Sequence, residues 1–297
     1  MNNIINKINN SKHIVVVATG SIDSICSASA FYTYLLTLHK KVSFFSISNV
    51  LEPRLFFIPW SEKVRSSFPS SSDLAITFGT LDSDNVYIEC EIINFDTMKN
   101  SPFIAQTVYD FFENSDIKIN HKMATSLYSG ILDSTNGFLV GTNGTIFAMI
   151  ERLVKLDIDI QNINKCVMQY MSLASFRLKA IMQMKMQLML NAKLALFVVK
   201  DEDISSSGAT EIDCEKIILE ALFLPTVSVV LLVREYDDSN VKILLKSDDS
   251  INLSKLVLEL DCIGNSKVVK FDFLNKNQIK EKKLALIYKE IEFESKK

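Results

Sequence analysis

Apolar positions in this chain recur at two spacings. His13 to Ala18 is a β-branched run that ends in Thr19-Gly20, which predicts a buried strand followed by a turn. From Asp23 to Lys40 the spacing changes. Ile25, Ala28, Phe31, Tyr32, Leu35 and Leu38 form a stripe at the helical period. Val42 to Ser48 alternates as a strand does, and Leu74 to Phe78 and Val86 to Phe95 are further buried runs. Helices are predicted over Phe103–Glu113, His121–Leu132 and Thr145–Leu156. Strands alternating with helices predict βαβ units around a mostly parallel sheet. Ligands of such sheets bind at the carboxyl ends of the strands, and Asp23, Gly79 and Asp96 all fall at or just past such an end.

The second half reads differently. A Met-rich stretch from about Asn162 to Leu196 has the pattern of one long helix and carries Met168, Met171, Met182, Met184, Met186 and Met189. Its soft side chains suit either an adaptable binding surface or a connecting helix packed between two lobes. Strands are predicted at Leu194–Val199, Val227–Val233, Val241–Leu245 and Val268–Phe273. Cys214–Phe223, Leu253–Leu260 and Ile279–Ile291 have helical spacing. Asp201 to Gly208, acidic and then Ser-rich, reads as a loop. The expected architecture is α/β: a mostly parallel-sheet domain over 1–160, a connecting helical segment over 161–196, and a smaller α/β domain over 197–297.

Composition narrows the class. The 297 residues are 48% hydrophobic, enough to bury a sizeable core. A formal net charge of −3 gives no general attraction for nucleic acid or anionic membrane, although a local basic groove is compatible with it. The five cysteines, Cys26, Cys90, Cys166, Cys214 and Cys262, are widely spaced and odd in number, which argues against a disulfide framework. Met1 to Lys12 is polar, and the run Ile14 to Ala18 is too short to span a bilayer. A cytoplasmic location without membrane insertion is expected.

Five segments carry the candidate chemistry. They are Val17-Ala18-Thr19-Gly20-Ser21-Ile22-Asp23, Leu74-Ala75-Ile76-Thr77-Phe78-Gly79, Ile93-Asn94-Phe95-Asp96-Thr97-Met98-Lys99-Asn100, Gly130-Ile131-Leu132-Asp133-Ser134-Thr135-Asn136-Gly137-Phe138 and Asp261-Cys262-Ile263-Gly264-Asn265-Ser266-Lys267. In this order they resemble the motifs of the DHH phosphoesterases with a DHH-associated C-terminal domain, the branch of the nanoRNases and phosphoadenosine-phosphate phosphatases. The resemblance covers nearly the whole chain. It implies two Mn²⁺-type ions held by carboxylates and histidines, which activate a water and clamp a phosphate.

Position by position, most of those ligands are replaced. The first motif implies a histidine and two acids at Val17, Ser21 and Asp23, of which Asp23 alone is kept. The second implies a bridging acid at Gly79; Asp82 and Asp84 follow on the next loop, where turn chemistry suits them. The third keeps Asp96 and Asn100 but puts Thr97 and Met98 at its histidines, and a thioether is a poor ligand for Mn²⁺ or Mg²⁺. The fourth puts Ser134 at its acid, with Asp133 one residue early and therefore turned by roughly 100° on a helix. In the last, Gly264 is kept, Asn265 stands at a histidine, and Lys246 stands at an arginine on a preceding strand. The resemblance thus leaves Asp23 and Asp96, with Asp133, as vestigial metal positions. Asn100, Lys246, Gly264 and Asn265 are its substrate-binding positions.

Asp23 and Asp96 have a second reading as caps of turns or helices. His13, His39 and His121 are the only histidines, and surface or capping roles are expected for each. Trp60, with Phe56 and Phe57, suits either a base-stacking platform or core packing. Three functions stay open. The first is a catalytically degenerate protein that binds a nucleotide in an interlobe cleft or a protein partner, with no cofactor. The second is a weak phosphoesterase acting on short oligonucleotides or phosphoadenosine phosphate with Mn²⁺ or Mg²⁺. The third is a structural subunit of a larger assembly, with homodimerisation through the first lobe.

Overall fold

The computed structural model describes residues 2–47, 51–79, 88–98, 101–236, 240–248, 250–274 and 277–295. Asn100, Asp82 and Asp84 lie outside them. The chain divides into two compact α/β units, Met1–Tyr170 and Met171–Lys297.

In the first unit, helix α1 (Asn2–Asn10) leads into strand β1 (His13–Ala18), whose apolar run is buried on both faces as a central parallel strand requires. Helix α2 (Ile22–Thr37) follows, then β2 (Lys41–Ser46), the short β3 (Val64–Arg65), β4 (Leu74–Phe78) and β5 (Glu91–Asn94). All pair in parallel in the order β3-β2-β1-β4-β5. The chain leaves β1 for β2 on one side and later returns to pair β4 on the other, so the switch point lies between β1 and β4. Helices α3 (Ile104–Asn114), α4 (His121–Ser134), α5 (Gly144–Val154) and α6 (Ile160–Asn164) complete the unit.

Ile14, Val16 and Ala18 face the main core with α2, α3 and α4, while Val15 and Val17 join Phe45 and Ala75 on the opposite face. An aromatic cluster fixes the strand ends: Phe31 lies 5.1 Å from Phe95, and Phe78 lies 5.2 Å from Phe95, centroid to centroid. Phe78 and Phe95 immediately precede Gly79 and Asp96, so packing anchors both loops from below.

The second unit starts with α7 (Leu173–Lys185) and β6 (Gln187–Met189), then β7 (Leu194–Lys200), α8 (Asp201–Ser207), α9 (Glu211–Leu219), β8 (Val229–Glu235) and β9 (Asn240–Ser247). Helix α10 (Ser254–Glu259), β10 (Ile263–Gly264), β11 (Val268–Leu274) and α11 (Asn277–Glu294) follow. The sheet order is β10-β11-β9-β8-β7-β6, parallel only between β7 and β8. One face packs on α10 and α11 through Leu256, Ile287 and Ile291; the other packs on α7 and α9 through Leu178, Met182, Cys214 and Ile218.

Two expectations are corrected here. The stretch Asn162–Leu196 is not one helix. It passes through a π turn at Lys165–Gln169, and Ser172 then starts a new helix, its side chain accepting from the Ser175 N–H. Leu190, Asn191 and Ala192 take positive φ, which folds β6 back along β7. Met and Leu fit a helix stripe and a strand equally well, so periodicity alone could not separate them. Asp201–Gly208 is a helix and its stop, not a loop. Three acids occupy the first turn, Asp203 accepts from the Lys200 N–H, and Gly208 closes it at φ 73°.

All five cysteines are free thiols. Among the described residues, no helix is long and apolar enough to cross a membrane.

Candidate functional site

The switch point between β1 and β4 is where a doubly wound sheet opens a ligand crevice. Here hydrogen bonds draw it shut. The Ser24 hydroxyl donates to the Phe78 carbonyl, Thr19 Oγ1 donates to the same oxygen at 3.2 Å, and the Thr19 N–H donates to Ser24 Oγ at 2.8 Å. Gly79 has φ +98°, and a Cβ placed on it would overlap Thr19 Oγ1. The position where the resemblance implies a bridging acid is thus sterically taken.

Asp23 sits in the first turn of α2 and is 7% exposed. Its Oδ2 accepts from the Ile104 N–H and its Oδ1 from the Ala105 N–H, each at 2.9 Å. Ser27 Oγ donates to Oδ1 at 3.2 Å. The Ser134 hydroxyl donates to the Gly130 carbonyl at 2.8 Å and lies near enough to this carboxylate to lower its pKa. Burial raises the Asp23 pKa from its ordinary value, against the lowering effect of Ser134, Ile104, Ala105 and Ser27.

The other vestigial positions are dispersed in role. Val17 is fully buried in the apolar cluster on the far face of the sheet. Ser21 caps α2, accepting from the Ser24 N–H at 3.1 Å. Asp96 lies half-buried in a 3-10 turn over Phe95–Met98, and its N–H donates to Asn94 Oδ1 at 2.7 Å. Helix α4 runs through Ser134 without a break, so Ser134 and not Asp133 meets Asp23. Asp133 and Asp23 both act on the buried Cys26 thiol, whose pKa is pushed up first by burial and then by these charges.

Hard divalent cations want several carboxylate or carbonyl oxygens turned inward. Among the described residues, no group of three or more His, Cys, Asp or Glu side chains is gathered in that way. The buried Asp23 carboxylate spends its oxygens on N–H and O–H donors. These residues do not fit a pair of metal ions.

Of the histidines, His13 Nε2 lies 2.9 Å from Ser43 Oγ, and burial lowers its pKa; His121 Nδ1 lies 3.2 Å from the Leu156 carbonyl. Trp60 packs against Tyr32, donates to Thr33 Oγ1 at 3.0 Å and carries the Lys122 ammonium 4.0 Å above its ring. Trp60 is thus packed, while Phe56 beside it is 63% exposed.

In the second unit, β10 and β11 form a hairpin. Asn265 Oδ1 accepts from the Lys267 and Val268 N–H groups at 2.8 and 3.0 Å. A Cβ on Gly264 would overlap the Val268 carbonyl, so this glycine serves the hairpin itself. Lys246 pairs with Val268 across β9 and β11, which brings it to the hairpin's root. Its pKa is lowered, first by burial, with Lys270 adding to the effect and Glu215 opposing it.

Sequence reasoning missed the neighbouring charges on this α9 face. The Arg234 side chain is 5% exposed and ion-pairs with Asp201; its Nε lies 3.7 Å from Glu211, which also meets Lys242 at 3.4 Å. Lys270 pairs with Glu215 at 3.0 Å. Alternation in Asn240–Ser247 places Lys242 and Lys246 on one face, and that was the available signal.

The architecture is the two-domain fold of the DHH phosphoesterases. The chain is similar to an exopolyphosphatase-related protein from Bacteroides fragilis, with a TM-score of 0.78 and 17% identity over 98% of this chain and 95% of that one. It is also similar to RecJ from Thermus thermophilus, crystallised in complex with Mg²⁺, with a TM-score of 0.51 and 12% identity over 100% of this chain and 52% of RecJ. No protein-family model matches the chain, and no curated protein matches it by sequence. At these identities the likeness establishes the fold.

Proposed function

We propose that this chain is a catalytically silent relative of the DHH phosphoesterases that works by binding. One observation carries the reading: the retained Asp23 carboxylate is occupied by the Ile104 and Ala105 N–H groups and the Ser27 hydroxyl. An oxygen committed to donors of this kind is not available to a cation without moving α3. The overlap at Gly79 supports the same reading independently.

A protein partner is the favoured ligand. Leu173, Phe176 and Met184 lie along one side of α7 and are 63%, 61% and 89% exposed. A stripe of that kind is characteristic of a surface that is covered in use. A nucleotide is the second reading, favoured by the half-buried ammonium of Lys246 beside the Asn265 hairpin. Assembly as a homodimer or as a subunit of a larger complex is a special case of the first.

The test is hydrolysis of a dinucleotide and of phosphoadenosine phosphate in excess Mn²⁺. No turnover is expected. Turnover that disappears in Asp23→Ala would overturn the reading in favour of a weak metal-dependent phosphoesterase. Co-purification from the native host then separates a bound nucleotide from a bound protein.

A further inference from the structure

Helix α3 begins without a cap of its own. Phe103 occupies its N-cap position, offers no side-chain acceptor, and no acid lies in the first turn. The leading N–H groups of a helix need acceptors from elsewhere when they are buried. Ile104 is 8% exposed and Ala105 fully buried, so water does not serve them. Their acceptor is Asp23, 81 and 82 residues earlier in the chain.

We propose that Asp23 is a tertiary cap for α3, and that the N-terminal end of this helix holds the place at the carboxylate that a divalent cation takes in an active two-metal site. The proposal rests on the reading that this site holds no metal. Its electrostatics follow from the helix dipole, which puts about half a positive charge at the N-terminus, so a carboxylate there meets a cation of protein origin. The geometry is specific, because each carboxylate oxygen serves a different N–H. Ser27 adds a donor from the next turn of α2, so the carboxylate ties α2 to α3 across the core. On this view Asp23 is a positioning residue for α3, and its retention needs no catalytic explanation.

Amide hydrogen exchange at Ile104 and Ala105, followed by NMR on the full chain with and without Mn²⁺, tests this. In Asp23→Ala both amides should exchange about tenfold faster or more, since both lose a charged acceptor. Asp23→Asn keeps the shape and one oxygen, and guards against an alanine variant that fails to fold. In it, one of the two amides should accelerate about tenfold while the other stays within about twofold of wild type. Mn²⁺ should leave all of these rates unchanged. If neither amide accelerates in Asp23→Asn, the cap is wrong. If Mn²⁺ speeds exchange at Ile104 and Ala105 in the wild type, or broadens their signals, and does neither in Asp23→Asn, Asp23 is a metal ligand. Turnover with Mn²⁺, alongside wild-type exchange rates that Mn²⁺ leaves unchanged and acceleration in Asp23→Asn, would overturn the proposed function and leave the cap standing.

Discussion

At the carboxyl end of the first unit's sheet, the buried Asp23 carboxylate is surrounded by hydroxyls and main-chain N–H groups. On the α9 face of the second unit's sheet, Arg234, Lys242 and Lys270 alternate with Asp201, Glu211 and Glu215. The first region balances its charge with dipoles, the second with opposite charges. A buried acid with no cationic side chain beside it is kept only where helix ends and hydroxyls solvate it. A face that keeps its cations must pair them, because an unpaired buried ion is costly. Charge missing from one unit is therefore not missing from the fold, since the neighbouring unit still carries a dense polar face.

The contrast can be overturned most forcefully at Gly79. Gly79→Asp returns an acid to the first unit, but at φ +98° and against Thr19. A loss of about 3 kcal/mol in urea unfolding is expected, with no Mn²⁺ binding by calorimetry. Metal binding without loss of stability would show that the crevice is open.

Next is Arg234→Met, which leaves Asp201 and Glu211 without their shared cation. Because both acids are partly exposed, a loss of about 2 kcal/mol is expected in the same unfolding experiment. No loss would mean that solvent and Lys242, and not Arg234, balance those acids.

The pH dependence separates one acid in each unit, Asp23 and Asp213, by opposite signs. Burial raises the pKa of Asp23 above 3.8, so its contribution to stability is fully present at lower pH and declines as pH rises from there through the folded value. Asp213 goes the other way. Burial is its largest single influence and acts upward, but the bonds from Ser175 and Thr210 together hold its pKa below 3.8. Its contribution is present above that value and is lost as pH falls through the folded one. Unfolding measured across acidic pH should therefore show wild type losing ground to Asp23→Asn as pH rises, and gaining on Asp213→Asn. Parallel profiles would erase the distinction.

The smallest effect is expected from Glu215→Gln, which removes the partner of Lys270. That pair is partly exposed, and less than about 1 kcal/mol should be lost in urea unfolding. A larger loss would make it a member of the Arg234 network.

Much of the frame was legible in the chain. The buried strands at Ile14 and Leu74 and the stripe through α2 follow from burial periodicity, which is a local property. The short α1 was not legible, because Asn disfavours helix interiors and only Ile4, Ile5 and Ile8 betray its packed side. The site was legible in its losses but not in what filled them. Asp23 could be found from the motif, whereas its partners are main-chain groups of Ile104 and Ala105, and no side-chain pattern announces a backbone N–H. Likewise the role of Thr19 depends on Phe78, which meets it only through the pairing of β1 and β4.

On the function proposed above, the closure around Phe78 also bears on history. No single substitution can put an acid at position 79 while Thr19 keeps its hydroxyl where it stands. A return to metal chemistry would have to move Thr19, release the Phe78 carbonyl from Ser24 and free Asp23 from α3, and each step alone removes a bond without supplying an ion. The path back therefore runs uphill through less stable intermediates. On that function, the closed crevice works as a ratchet against a return to metal chemistry.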